Sequence, residues 1–307
     1  MAKAIKNRQT IFNFLKLLAL VTLIFFLIQR FKNQNWNQDE MNLKHLGFLI
    51  IGILLMPLNW WTEWRKWTLT LDCAGLQSEK STVFHSFLAG MVTGMLTPNM
   101  LGNFIGRILY FDRKHRVQLT LLTLIGSMSQ FVVTMVVGAL GVILLQKLPF
   151  ESPLGTATYF LIALVSCVFL VLYFRMEWLL KFIRKRTFVS GLLALLERNK
   201  DLRIRMLGLG IFRHLIFTVQ FACVLYAFDV DLNATSVLWI WQFYFWVTLA
   251  PSLFLGKLGV RESVAVWVFA AAGMPDFTVL IATFSIWAMN LFLPTVISLV
   301  ILKRAKT

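Results

Sequence analysis

The sequence is poor in charge: 14% of its 307 residues are Asp, Glu, Lys or Arg, against roughly 25% in soluble globular chains. A soluble domain of this length would lack the polar side chains to cover its surface. Cysteine is scarce as well. Cys73, Cys167 and Cys223 lie far apart with no CxxC or metal-ligand spacing, and His45, His85, His115 and His214 are equally scattered. Neither a disulfide framework nor a zinc site is therefore expected. No Walker motif, GxSxG or HExxH occurs, so no catalytic residue, metal or cofactor is assigned. Acidic residues number 14 against 30 basic ones, a formal net charge of +16. In a soluble protein that excess points to nucleic acid. In a membrane protein it points to orientation by the positive-inside rule and to contact with anionic lipid.

What is abundant decides between them. Hydrophobic residues make up 58% of the chain, with 28 Phe and 11 Trp among the residues present, and mean hydropathy is +0.73. Disorder and nucleic-acid binding are both excluded by these numbers. The chain reads as an all-α polytopic membrane protein, one integral membrane domain over 1–307. Apolar stretches of about 18 residues or more, enough to cross a bilayer, fall near 11–28, 45–61, 117–145, 155–174, 207–228 and 278–302. The first follows Lys3, Lys6 and Arg8 in the manner of a signal peptide. Lys16 interrupts it and no small-residue cleavage site precedes Arg30, so it reads as a transmembrane helix.

Two further apolar stretches are broken. Residues 83–106 are interrupted by Gly94, Thr97-Pro98-Asn99, Gly102 and Gly106. Residues 234–273 are interrupted by Pro251-Ser252, Gly256, Lys257, Gly259, Arg261 and Glu262. Proline removes a backbone donor and glycine weakens helix continuity, so neither stretch should form one straight spanning helix. Basic residues count 22 in segments 1–10, 61–82, 107–116, 175–206 and 303–307, against four in the alternate loops 29–44, 146–154, 229–233 and 274–277. That bias places both termini in the cytoplasm of an inner membrane. Both flanks of 83–106 then lie inside and both flanks of 234–273, near Asp231 and Asp276, lie outside. Each broken stretch becomes a re-entrant hairpin, whose irregular backbone must be buried in protein or line a wet cavity.

Six spans and two hairpins thus fall into an inverted-topology repeat, 11–146 and 155–302, with an outer loop, a span and a cytoplasmic amphipathic segment over 147–206. The alternative is eight ordinary helices with proline kinks. Inverted repeats place their substrate near the midplane where the halves meet.

An ionisable group inside a bilayer costs about 2.5–3.5 kcal/mol on insertion scales, so each one demands a reason. Lys257, Arg261 and Glu262 at the second break read as a cationic pocket for an anionic head group, or as a structural pair capping the helix that follows. Arg107, after Gly106, reads as a membrane-edge anchor or a guard of the cytoplasmic mouth. Thr97, Asn99 and Asn103 at the first break, with Ser252 at the second, are candidate cavity polar groups. Gln130 and Asn290 are mid-span amides suited to helix–helix hydrogen bonds. Arg213, beside His214, is expected to snorkel to the cytoplasmic surface. Residues 59–67 (NWWTEWRKW) read as an interfacial aromatic belt. Residues 187–205, preceded by Arg184–Arg186, read as an amphipathic helix on the inner leaflet. Asp39-Glu40 is the one acidic pair in an outer loop.

The two breaks also carry a resemblance. Leu96-Thr97-Pro98-Asn99-Met100-Leu101-Gly102-Asn103-Phe104-Ile105-Gly106-Arg107 resembles the T-P-G-x-L-G-E-x-x-R region of the flippase-like lysylphosphatidylglycerol synthase transmembrane-region family. Pro251-Ser252-x3-Gly256-Lys257-Leu258-Gly259-Val260-Arg261-Glu262 resembles its C-terminal P-x-S-x-G-G-x-G-x-R-E segment and keeps Pro, two Gly, Arg and Glu in order. Asn99 stands where the family usually has Gly, and Asn103 where it usually has Glu. The chain stops five residues after Leu302, so the resemblance implies the flippase-like membrane part without the aminoacyl-transferase domain. The function expected is translocation of an anionic phospholipid or isoprenoid-phosphate lipid. The partners expected are anionic membrane lipids, with a lipid-modifying enzyme as a further one. The competing readings are a membrane-embedded transferase acting through Asp39 and Glu40, and a non-transporting partner of a lipid-modifying enzyme.

Overall fold

The computed structural model describes residues 43–97, 100–178, 196–197, 199, 201–250 and 257–305. The expected first span at 11–28, Asp39 and Glu40, Pro98 and Asn99, Arg184–Arg186 with most of the segment 187–205, and Pro251, Ser252 and Gly256 lie outside them. The described residues contain helices and no strand: α1 Leu46–Leu54, α2 Met56–Cys73, α3 Lys80–Met95, α4 Gly102–Ile108, α5 Arg113–Leu145, α6 Ala157–Phe174, α7 Asp201–Ala227, α8 Ala234–Leu249, α9 Val260–Ala270, α10 Asp276–Trp287 and α11 Leu293–Arg304. A π-turn, Ala288–Phe292, joins the last two.

Among the described residues, five helical stretches are long and apolar enough to cross a membrane: Leu46–Cys73, Arg113–Leu145, Ala157–Phe174, Asp201–Ala227 and Asp276–Arg304. Each overlaps one of the expected spans. The outward faces are apolar, as lipid contact requires: Phe160 on α6 is 78% exposed and Leu144 at the end of α5 is 64% exposed. Helix ends follow local chemistry. Asn233 caps α8 by accepting from the Ser236 amide, and the Ser236 hydroxyl accepts from the Asn233 amide in return, a reciprocal capping box.

The stretches 83–106 and 234–273 are each two helices with a break between them. In the first, α3 and α4 lie against one another at very short range. A Cβ on Gly102 would sit 2.1 Å from the Thr93 carbonyl oxygen, and one on Gly106 would sit 2.2 Å from Thr93 Oγ1, so only glycine allows this approach. In the second, α8 packs on α9 through the Phe243–Phe269 contact, with Phe221 of α7 stacked on both at 5.1 and 5.5 Å. Each pair also packs against one long helix far away in sequence: α3 on α11, and α8 on α5.

Three expectations change on contact with the fold. The span expected at 45–61 continues as helix to Cys73. Within it Trp67 is fully buried and Lys66 is 4% exposed, so this part of the aromatic belt is interior. Trp67 packs in a cluster with Phe87 and Phe111, and Lys66 finds a carboxylate, described below. Arg107 is likewise interior, 2% exposed, and is no edge anchor. Residues 201–205, assigned to a surface helix, form the first turn of α7. Leu202 and Met206 are buried there, and Arg203 pairs with Glu177.

Candidate functional site

Helix α2 presents Asn59, Glu63, Lys66 and Thr70 at spacings of four, three and four residues. Those spacings place all four on one face, and three of them are at most 4% exposed. Glu63 is the hub. Its Oε1 accepts from Arg213 Nη1 of α7 at 2.8 Å, and its Oε2 lies 3.5 Å from Arg107 Nη2 of α4. Lys66 Nζ stands 3.7 Å from Oε1 and donates at 3.4 Å to Gln130 Oε1 of α5. Three cations from three helices thus surround one carboxylate.

The network continues through amides. Arg213 Nε donates to Asn59 Oδ1 at 2.6 Å, and Asn59 Nδ2 donates to Asn290 Oδ1 at 2.7 Å. Asn290 Nδ2 donates in turn to Gln220 Oε1 at 2.8 Å, and Gln220 Nε2 donates to the Gly52 carbonyl at 2.8 Å. Asn290 sits in the π-turn, where the Leu293 amide reaches back to the Ala288 carbonyl. Pro294, which has no amide hydrogen, follows at the start of α11, and a wider turn spares the helix a missing α-type bond. Asn59, Gln130, Arg213 and Asn290 each fall at or beside the middle of a long helix. The polar set therefore lies halfway along the helices that contain it.

These residues line a cavity of about 490 Å³. Glu63, Arg107, Arg213, Lys257, Asn103, Gln130 and Asn290 give it polar walls, and Phe87, Met91, Leu101, Phe104, Leu124 and Phe131 give it apolar ones. Leu101 and Leu124, at 54% and 43% exposed, mark an apolar side that is open outward. Arg107 enters over the Trp67 and Phe87 rings, 5.4 and 5.1 Å from their centroids, a cation–π setting that holds the guanidinium in place. Gly90 makes the room: a Cβ there would stand 2.6 Å from Arg107 Cγ and 2.7 Å from Asn103 Oδ1. Arg107 Nε and Asn103 Oδ1 are both buried without a hydrogen-bond partner.

The second break contributes differently. Lys257 lines the cavity, but its Nζ donates to the carbonyls of Val247 and Ala250 at 2.6 and 3.0 Å, closing the C-terminus of α8. Glu262 Oε2 accepts from the Gly259 amide at 2.6 Å at the N-terminus of α9. Arg261 Nη2 donates to the Thr283 carbonyl of α10 at 3.3 Å. Neither Arg261 nor Glu262 is among the lining residues of the cavity. Thr97 is used within the first break, accepting from the Gly102 amide at 2.6 Å. Gly102 and Gly106 serve the close approach of α3 and α4, and Gly259, at φ +81°, turns the chain into α9. Among the described residues, no three His, Cys, Asp or Glu side chains converge as a metal site.

Of the candidates drawn from the sequence, the structure brings Lys257, Arg107, Asn103, Gln130 and Asn290 to one cavity and directs Arg261 and Glu262 elsewhere. Sequence reasoning placed Asn59, Glu63 and Lys66 in an interfacial belt, and it sent Arg213 to the surface. The signal was the period of Asn59, Glu63, Lys66 and Thr70, hidden in a tryptophan-rich segment that resembles a membrane border.

A family model described as the lysylphosphatidylglycerol synthase TM region matches residues 13–298. No curated protein and no solved structure matches the chain.

Proposed function

Because the chain belongs to the lysylphosphatidylglycerol synthase transmembrane-region family, an integral-membrane family that fits lipid metabolism or transport, we propose that it moves a polar anionic lipid between the leaflets of the inner membrane. The observation that carries this reading is the cavity at mid-length of the spans, with Arg107, Arg213 and Lys257 on its walls and an apolar side beside Leu101 and Leu124. A cationic interior recognises a phosphate through charge-assisted hydrogen bonds. An apolar opening lets acyl or isoprenoid chains stay in the bilayer while the head group crosses.

In this reading Arg107 and Arg213 take the phosphate, Glu63 holds the two guanidiniums in register, and Lys257 with the α8 terminus shapes the far wall. Arg261 and Glu262 keep the second break folded. Asn103, Gln130 and Asn290 supply neutral polar contacts. Both breaks are re-entrant hairpins, and the chain is an inverted repeat with both termini cytoplasmic. The pattern of helix neighbours supports this. Exchanging the halves turns the pairing of α3 with α11 into that of α8 with α5, and the pairing of α2 with α5 into that of α7 with α10. Rocking of one half on the other then exposes the cavity to each leaflet in turn.

The test is lipid scrambling by the purified chain in proteoliposomes, read as loss of protection of a fluorescent anionic lipid from an external quencher. Movement above protein-free vesicles is expected, with a strong reduction in Arg213→Ala. No movement of any anionic lipid by folded protein overturns the reading.

A further inference from the structure

The charges of the cavity do not balance. Lys66, Arg107 and Arg213 share Glu63; Lys66 stands behind the wall while the two arginines line it, and no other carboxylate lines the cavity among the described residues. Two positive charges are left over. Lys257 adds a third, which helix carbonyls partly offset. Arg107 Nε is buried with no hydrogen-bond partner, although its side chain is only 3% exposed. A buried guanidinium that shares its one carboxylate with two other cations leaves the cavity wall short of negative charge and fit for a further anion. In a medium of low polarisability an uncompensated charge is costly, so the surplus of cations sets the charge of the ligand that fits.

We infer that the head group taken by this cavity is a phosphate monoester or a diphosphate, with two or more negative charges, and not a singly charged phosphodiester. The inference rests on the lipid-transport reading and names the substrate class of the same site. One phosphate seats between the Arg107 and Arg213 guanidiniums on the cavity wall. A dianion neutralises the two surplus cations, whereas a phosphodiester leaves one of them bare. Glu63 then acts as a resident counter-anion that keeps the cluster folded when no lipid is present.

The experiment compares three lipids with identical fluorescent acyl chains in proteoliposomes of the full chain. They are phosphatidic acid, phosphatidylmethanol and phosphatidylglycerol, assayed at pH 8, where a phosphate monoester with a second pKa of about 6 carries close to two charges. Phosphatidylmethanol matches phosphatidic acid in size but carries one charge, so head-group bulk is controlled without altering the protein. Phosphatidic acid is expected to move at least roughly tenfold faster than either diester, the size of one lost charge-assisted contact. A farnesyl diphosphate competitor is expected to slow it. Equal rates for phosphatidic acid and phosphatidylmethanol overturn the inference and leave the transport reading standing. Failure of all three lipids, and of any phospholipid, to move overturns both.

Discussion

The two helix breaks look alike in sequence and are built differently. The first is held by shape. Gly102 and Gly106 admit Thr93 and Ala89 at distances no side chain would allow, and the Thr93 hydroxyl bonds across to the Gly102 carbonyl. The second is held by charge: Lys257 closes one helix end, Glu262 opens the next, and Arg261 ties it to α10. Each break has an arginine shortly after its glycines. Arg107 reaches the cavity because Gly90 leaves space beneath it, whereas Arg261 finds a carbonyl on its own side of the molecule. A shared motif therefore does not give a shared role; the neighbouring helix decides where the guanidinium goes.

This contrast can be broken most sharply at the first pair. Gly106→Val forces a Cβ into Thr93 and the Ala89 carbonyl, and it is expected to destabilise by about 3 kcal/mol, at the upper end for overpacking. Thermal unfolding in detergent measures it, and a variant as stable as wild type would mean that α3 and α4 are not so closely apposed. Next in size is the pair of arginines. Arg107→Ala is expected to lower lipid movement roughly tenfold or more, as for loss of a charged hydrogen bond, while Arg261→Ala leaves movement per folded molecule nearly unchanged and lowers stability. The reverse order of effects would exchange the roles assigned to the two breaks.

Smaller effects sharpen the second break. Gly259→Ala meets open space but must hold φ near +81°, so a loss of about 2 kcal/mol is expected from backbone strain alone. Glu262→Ala removes the acceptor for the Gly259 amide and is expected to lose about 1 kcal/mol, as for other helix caps. Both are read by the same unfolding assay, and neither should alter the preference among lipids.

Much of the fold was legible because length and hydropathy alone determine where a helix can cross a bilayer. Five stretches expected as spans overlap long apolar helices, and both broken stretches divide near their prolines and glycines. The site was harder to read. Glu63 and Lys66 sit among tryptophans and other charges, a composition suited to a membrane border, and partners far off in sequence turn them inward, among them Arg107, Gln130 and Arg213, the last 150 residues from Glu63. Arg213 was misjudged for the same reason, since a lone arginine two turns into a span has no visible partner in its own segment. Gln130 and Asn290 were recognisable because an amide amid apolar residues always needs a partner. Which partner was a matter of tertiary contact.

The π-turn at Ala288–Phe292 amounts to one extra residue threaded into a helix. At 3.6 residues per turn, an added residue rotates everything beyond it by about 100°. The last span thus shows one face to α7 and α9 before the turn and another face to α3 after it. Deleting a single residue from the turn would restore an even helical register, swing α11 away from α3 and pull Asn290 off both Asn59 and Gln220. The final helix works as a dial set one notch round, and its setting aligns the amide chain with the cavity.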